Sequence, residues 1–259
     1  MKQERTKYLK DNYMENENFG VIHETEIPEV ARHLEVSETT IKNYLKELNC
    51  VIYKRKPFKI KDLERYSSEL SSLKLGYARR LPKYIQNKSV RTLVGDNLWR
   101  KVRKIVLERN NNSCSTCGYS PDDLDRLHVH EVWSADEDNT VIFLNKVTLF
   151  CYMCHSLQHM DKAYYIYEQK DQWYEQREKL EMHFMKVNEC TQDVLLACIM
   201  LASKRTLSKK IQDRVKDGGE TYPERQIRLQ NAKWTYSIYD DMPLRNEIIA
   251  SLQRKVDVI

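Results

Sequence analysis

Apolar residues recur at helical spacing in two neighbouring runs near the start of the chain, residues 27–34 and 38–48. Pro28 suits the first turn of one helix, and Ser37 can cap the next one. The inner stripe of the two helices comprises Val30, Ala31, Leu34, Ile41, Tyr44, Leu45 and Leu48. Two short helices joined by a short turn predict a helix-turn-helix.

This segment resembles the helix-turn-helix of bacterial DNA-binding proteins, except that Glu35 stands where that family usually has a glycine. The resemblance implies that the second helix enters a major groove of DNA. Its outward side chains that can contact base edges or phosphates are Thr39, Lys42, Asn43 and Lys46. A plain helical hairpin is the alternative, which Glu38 and Glu47 favour.

The remaining patterns predict a chain that is mainly helical. The predicted elements are a weak helix followed by a loop over 1–26, a short strand over 51–60, a helix over 61–75, an amphipathic helix over 99–109, an alternating strand over 127–133 and a helical part over 161–259. No run of 18 apolar residues occurs, and the first residues are polar. The sequence therefore predicts no membrane span and no signal peptide, and a cytoplasmic location.

Positive charge is concentrated in one part of the chain. The net charge is +5, but residues 51–112 hold 17 Lys and Arg against 5 Asp and Glu. A block of one sign predicts contact with a polyanion, and a basic segment without a partner is the alternative. In a stretch that mixes basic residues with tyrosines, the expected phosphate contacts are Arg79, Arg80 and Lys83.

Two Cys-x-x-Cys pairs carry the strongest chemical signal. They are Cys114 with Cys117 and Cys151 with Cys154. Two such pairs can supply four thiolates to one tetrahedral ion, which predicts a closed, structural zinc site. A chain without a signal peptide belongs in a reducing compartment, where thiols bind metal more often than they form disulfides. The other three cysteines are interpreted as small apolar residues: Cys50, Cys190 and Cys198.

Histidines gather around the second pair. They are His128, His130, His155 and His159, and the last two are four residues apart, so they share one helix face. Neutral imidazoles can hold a second metal that the cysteines do not use. The alternative is that these histidines only extend the packing around the zinc site.

Residues 99–159 resemble the HNH nuclease family, the ββα-metal endonucleases. The motifs that carry the resemblance are Cys-x-x-Cys-Gly at 114–118, His130-Glu-Val-Trp133, and Leu149-x-Cys-x-x-Cys-His-x-x-x-His159. They are most similar to a phage and bacterial branch of the family. The resemblance implies a β-hairpin and helix that hold one catalytic cation, Mg²⁺ or Mn²⁺, which touches the scissile phosphate.

The resemblance also implies roles for individual residues. His130 stands at the metal-ligand position of the strand, and the helix ligands would be His155 and His159. Glu131 stands where the family usually has its histidine general base. The base is therefore open between Glu131, His130 and His128. The middle asparagine of the family corresponds to Asn145 or Asn139.

The sequence thus predicts a mainly α fold with a small zinc-stabilised α+β core. The expected parts are a helix-turn-helix over 1–50, a basic DNA-contacting segment over 51–98, an HNH nuclease domain over 99–160 and a helical extension over 161–259. The expected function is metal-dependent cleavage of double-stranded DNA. The alternative is a non-catalytic, zinc-stabilised DNA-binding regulator. The expected setting is a bacterial cell, with a homodimer or a phage or host protein as further partner.

Overall fold

A computed structural model describes residues 2–54, 63–77, 88–168, 172–202 and 221–259. These residues combine helices with two small sheets, as an α+β fold requires. The chain divides into two compact units, of which the first comprises Met1–Ala78 and Ser156–Ser203, and the second Arg79–His155 and Lys204–Ile259. None of the described helices is both long enough and apolar enough to cross a lipid bilayer.

The first unit opens with a small three-stranded sheet and helices packed on it. Its elements are α1 (Lys2–Tyr13), β1 (Met14–Asn16), β2 (Phe19–His23), a 3-10 turn (Glu24–Glu26), α2 (Ile27–His33), α3 (Glu38–Glu47) and β3 (Cys50–Tyr53). Strand β2 pairs antiparallel with β1 and parallel with β3. The core beneath the sheet consists of Leu9, Ile22, Ile27, Val30, Ala31, Ile41, Leu45 and Cys50.

The two predicted helices of the helix-turn-helix segment are confirmed as α2 and α3. The Ser37 hydroxyl accepts a hydrogen bond from the Thr40 amide at 3.2 Å, so it caps α3 as predicted. Glu35 has φ of 51° in the turn, a left-handed conformation that explains why glycine suits this position. The side chains of the expected DNA-facing set are exposed: Thr39, Lys42, Asn43 and Lys46.

Residues 1–26 contain more structure than the predicted helix and loop, because they also form β1 and β2. Strand β2 is almost wholly buried, although only Val21 and Ile22 are strongly apolar and β-branched. Gly20 passes so close to the preceding chain that a Cβ atom there would overlap the Tyr13 carbonyl oxygen. The strand therefore depends on a close backbone approach that hydrophobic periodicity does not reveal.

The other described parts of the first unit are mainly helical. Its elements are a 3-10 turn (Glu64–Tyr66), α4 (Ser67–Ser71), part of α7 (Tyr152–Gln158), α8 (Met160–Glu168), α9 (Trp173–Asn188) and α10, which covers 192–202. Within it, buried Glu181 accepts hydrogen bonds from the Tyr53 hydroxyl at 2.5 Å and from Arg177 at 2.6 Å. This pairing ties α9 to β3.

The three predicted phosphate contacts, Arg79, Arg80 and Lys83, lie outside the described residues.

The second unit is built around a long β-hairpin. Its elements are α5 (Val90–Val94), α6 (Asp96–Arg109), a 3-10 turn (Leu124–Arg126), β4 (Leu127–Asp136), β5 (Val141–Cys151), the first part of α7, α11 (Tyr222–Asn231), β6 (Thr235–Ile238), α12 (Arg245–Leu252) and β7 (Asp257–Val258). The strand order is β4-β5-β6-β7, with β4 and β5 antiparallel and β6 parallel to both of its neighbours. Residues 161–259 were predicted to be helical, but two of the four strands come from them.

Candidate metal centres

The four predicted zinc ligands meet where α6, β5 and α7 come together. Gly118 has φ of 74°, and its amide donates to the Cys114 carbonyl at 3.0 Å, which turns the chain tightly behind the first pair. The Ser115 amide donates to the Leu149 carbonyl at 2.8 Å and so joins this turn to β5. Cys151 ends β5, and Cys154 lies in the first turn of α7.

The sulfur atoms fit a tetrahedral ion. All four lie within 4.8 Å of one another, and Cys117 Sγ is 3.6 Å from Cys151 Sγ. Zn–S bonds of about 2.3 Å would place two tetrahedral ligands about 3.8 Å apart, whereas a disulfide needs about 2.05 Å. Three of the cysteines are buried and Cys117 is half-buried. The group is therefore compatible with a closed structural zinc site.

The protonation of the thiols also favours a cation. Hydrogen bonding with Cys117 lowers the pKa of Cys114 to about 6, whereas hydrogen bonding with Cys114 raises the pKa of both Cys117 and Cys154. Four thiols this close cannot all ionise by themselves. A divalent cation removes the conflict because it stabilises every thiolate at once.

The β4–β5 hairpin determines which residues share a face. His128 lies opposite Phe150 and His130 opposite Thr148, and directly opposed residues lie on the same face of a sheet. Since side chains alternate along a strand, His128 and His130 share one face while Glu131 lies on the other. We call the face with His128 and His130 the histidine face, and His155 of α7 contacts it.

Ring contacts join the three histidines of the second unit. The rings of His128 and His155 stack with centroids 4.9 Å apart and an interplanar angle of 19°. The rings of His130 and His155 meet edge to face, with centroids 5.5 Å apart. All three side chains are half-buried. The hairpin and α7 thus bring together His155 and two predicted site residues, His128 and His130, that precede it by 25 or more positions.

His159 directly follows α7, four residues beyond His155, and its amide donates to the Ser156 carbonyl at 3.0 Å. One ligand atom from each of His130, His155 and His159 lies within 4.8 Å of the others, so these three histidines can hold a metal ion. Burial, with a smaller contribution from Lys162, lowers the pKa of His159. That shift favours the neutral imidazole that metals bind.

Glu131 has a different environment from the histidines. Its Oε1 atom accepts a hydrogen bond from the Arg91 amide at 3.0 Å, and the Val90 amide and the Trp133 indole lie close enough to stabilise its charged form. Burial nevertheless raises the pKa of Glu131 to about 7. Trp133 is two residues from Glu131 and therefore on the same face, so this carboxylate is engaged with α5 and Trp133.

A β-bulge interrupts the hairpin just beyond these residues. Val132 pairs with Lys146 but Trp133 pairs with Leu144, which leaves Asn145 as the extra residue. Asn145 is exposed, and its amide donates to the Ser134 hydroxyl at 3.0 Å. The other asparagine considered, Asn139, instead donates to Asp136 within the turn that joins β4 to β5.

A cavity of about 630 Å³ opens beside the histidines along the free edge of β4. Its lining residues are Arg91, Asp96, Trp99, Arg100, Arg103, Asp125, Leu127, His128, Val129 and His155. Arginine and histidine side chains outnumber carboxylates around it. Its size and charge suit an anionic group such as a phosphodiester.

The arginines of this cavity were not predicted as site residues. Arg91, Arg100 and Arg103 all belong to the basic block that the charge count identified, but the selected contacts were Arg79, Arg80 and Lys83. Charge density alone does not indicate which basic residues lie beside the histidines. Comparisons of the chain with models of protein families, with curated proteins and with solved structures gave no match.

Proposed function

We propose that the protein is a metal-dependent endonuclease of the HNH type that hydrolyses phosphodiester bonds of DNA. The observation that carries the proposal is the histidine group of His130, His155 and His159, whose ligand atoms lie within 4.8 Å of one another. It adjoins the four-cysteine group, since Cys151 ends β5 and Cys154 belongs to α7. A half-buried metal group beside a cationic cavity is suited to reaction with a phosphate ester.

The three histidines would hold the catalytic cation. Imidazole nitrogen suits first-row transition metals better than Mg²⁺, so of the two expected cations Mn²⁺ fits this donor set better. When bound, such a cation supplies Lewis-acid stabilisation of the phosphate charge that develops during hydrolysis. The four-cysteine group would hold the hairpin against α7 and take no part in the reaction.

His128 is the residue that the geometry favours as general base. It lies on the histidine face of β4, stacks on His155 and lines the cavity. A neutral His128 would accept a proton from the attacking water, whose oxygen adds to phosphorus. The bond to the ester oxygen would break, and that oxygen would leave as an alcohol after taking a proton from solvent. Glu131 is less suitable, because it lies on the opposite face and its carboxylate is engaged with the Arg91 amide and Trp133.

Cleavage of plasmid DNA tests the proposal. Protein stripped of loosely bound metal should nick supercoiled plasmid only after Mn²⁺ or Mg²⁺ is added, with Mn²⁺ the more effective cation. A matched reaction with EDTA should leave the plasmid intact. Failure to cut duplex DNA with either cation, by protein that retains its zinc, would contradict the proposal.

One observation favours a second function, a DNA-binding regulator that does not cut. The exposed polar face of α3 could read base edges in a major groove, and this requires no metal chemistry. Lys42 on that face pairs with Glu38 at 3.4 Å, which offsets part of its charge. Binding of a defined duplex without any cleavage is the result that would favour this function.

A further inference from the structure

We infer that Glu131 is a positioning residue and that Arg91, which it places, binds a backbone phosphate of the DNA. This inference rests on the proposed function and gives roles to Glu131, on the face of β4 away from the histidines, and to Arg91, which lines the cavity. It begins from the environment of the Glu131 carboxylate. That group is surrounded by hydrogen-bond donors of α5 and of its own strand, not by the histidines.

The first step is the attachment of α5 to β4. This helix is only five residues long, so it has little stability of its own. The Ser89 hydroxyl caps it by accepting from the Thr92 amide at 3.2 Å. The Arg91 amide, which no helical carbonyl can reach, donates instead to Glu131, and the Val90 amide also lies close to that carboxylate. Glu131 thus joins the first turn of α5 to β4.

Trp133 completes this attachment from the strand side. Its indole lies close to the same carboxylate and stabilises its charged form, which favours this position of the Glu131 side chain. The alternation of β4 places the two residues on one face, two positions apart. Within the His130-Glu-Val-Trp133 motif, Glu131 and Trp133 therefore hold α5 in position, while His130 belongs to the metal group.

The second step is the location of Arg91. Its backbone is fixed by Glu131, its side chain is exposed, and it lines the cavity that His128 and His155 also line. Within the described parts of the chain, its guanidinium makes no hydrogen bond or salt bridge, although its charge interacts with the Glu131 carboxylate. Arg103 differs, because its guanidinium donates to the Leu124 carbonyl at 2.6 Å and pairs with Asp125.

These observations make Arg91 the cavity arginine most available to a ligand. A guanidinium can donate two parallel hydrogen bonds to phosphate oxygens. A phosphate held here would bring the neighbouring ester bond into the cavity beside the histidines. Arg91 would thus position the DNA without taking part in proton transfer.

The test is the affinity for a short DNA duplex, measured by fluorescence anisotropy at several salt concentrations without added divalent metal. We expect Arg91→Ala to weaken binding roughly tenfold and to lower the slope of log K against log[salt] by about 1. Arg91→Lys should restore the charge but only part of the affinity. Lys104→Ala is the matched control, since Lys104 is an exposed cation of α6 that does not line the cavity.

A double-mutant cycle tests the role of Glu131. Glu131→Leu removes the acceptor and should weaken binding as Arg91→Ala does, whereas Glu131→Gln keeps an acceptor oxygen and should bind nearly normally. In the Arg91→Ala background, Glu131→Leu should have no further effect on affinity, because it acts through Arg91. A residue that only stabilises the fold would weaken binding equally in both backgrounds.

The possible failures can be told apart. If wild-type protein binds and cuts duplex DNA but Arg91→Ala keeps full affinity and an unchanged salt slope, this inference is wrong and the proposed function stands. If wild-type protein neither binds nor cuts duplex DNA, the proposed function fails and this inference fails with it. If Glu131→Leu does not fold, Arg91→Ala and Glu131→Gln still decide the outcome.

Discussion

The four-cysteine group and the histidine group both take ligands from the β4–β5 hairpin and α7, yet their surroundings differ. The cysteines are presented by tight turns and are mostly buried, and their four sulfur atoms are enough to complete a tetrahedron. The three histidines are half-buried, and one of them, His155, lines an open cavity. A closed ligand set suits a structural role, whereas an incomplete set leaves room for water and substrate. The two groups should therefore respond to mutation in different ways.

The largest effect should follow the loss of a cysteine ligand. Cys117→Ala should lose zinc and unfold the hairpin, because structural zinc contributes on the order of 10 kcal/mol to the folding of a small domain. Metal content by mass spectrometry and thermal melting by circular dichroism measure this. Cys50→Ala is the control, since Cys50 belongs to the apolar core of the first unit and should leave the zinc content unchanged. Full zinc content and a wild-type melt for Cys117→Ala would show that the cysteines hold no structural metal.

Loss of a histidine should act on rate and leave the fold nearly intact. His130→Ala should lower plasmid nicking by roughly a hundredfold or more, because its interaction with the cation matters chiefly in the transition state. Its melting temperature should change little, since the side chain is only half-buried. Matched assays of His33→Ala, a histidine in α2 with an exposed side chain, should show wild-type cleavage. Equal rates for His130→Ala and wild type would refute the role given to the histidine group.

The last effect concerns the pH dependence of stability, and it develops gradually over several pH units. Burial raises the pKa of Glu131 to about 7 from its ordinary value of 4.5, so the folded state binds its proton more tightly than the unfolded state does. Stability is then lost as pH rises between these two values, by up to about 3 kcal/mol. Glu131→Gln removes this loss, so urea denaturation should show its stability relative to wild type increasing from pH 4 to pH 8. A difference that stays constant over this range would mean that Glu131 does not titrate in this way.

The sequence predicted the cysteine group, α3 and the β4 strand because their signals are local. Cys-x-x-Cys spacing, a serine cap and strict alternation each involve a few adjacent residues. The opposite orientation of Glu131 could also have been predicted, since it alternates with His128 and His130. The resemblance to the HNH family instead implied a catalytic role for Glu131.

Other features could not be predicted because they depend on residues distant in sequence. Strand β6 is recognised only through its pairing with β5, where Val141 lies beside Thr235. The bulge leaves Asn145 as an extra residue of β5. It depends on how β4 and β5 pair, so neither strand alone predicts it. Arg91 acquires its place beside His128 only after α5 attaches to β4.

The parallel pairing of β5 with β6 has a consequence for the order of folding. Residues 141–144 are synthesised well before their partners at 235–238, so the outer edge of β5 stays without its neighbour during that interval. The β4–β5 hairpin and the two Cys-x-x-Cys pairs can assemble earlier, since all of them lie within 114–154. Contacts between residues far apart in sequence form slowly, and unpaired strand edges favour aggregation. We therefore expect early zinc binding to protect the nascent hairpin until β6 arrives.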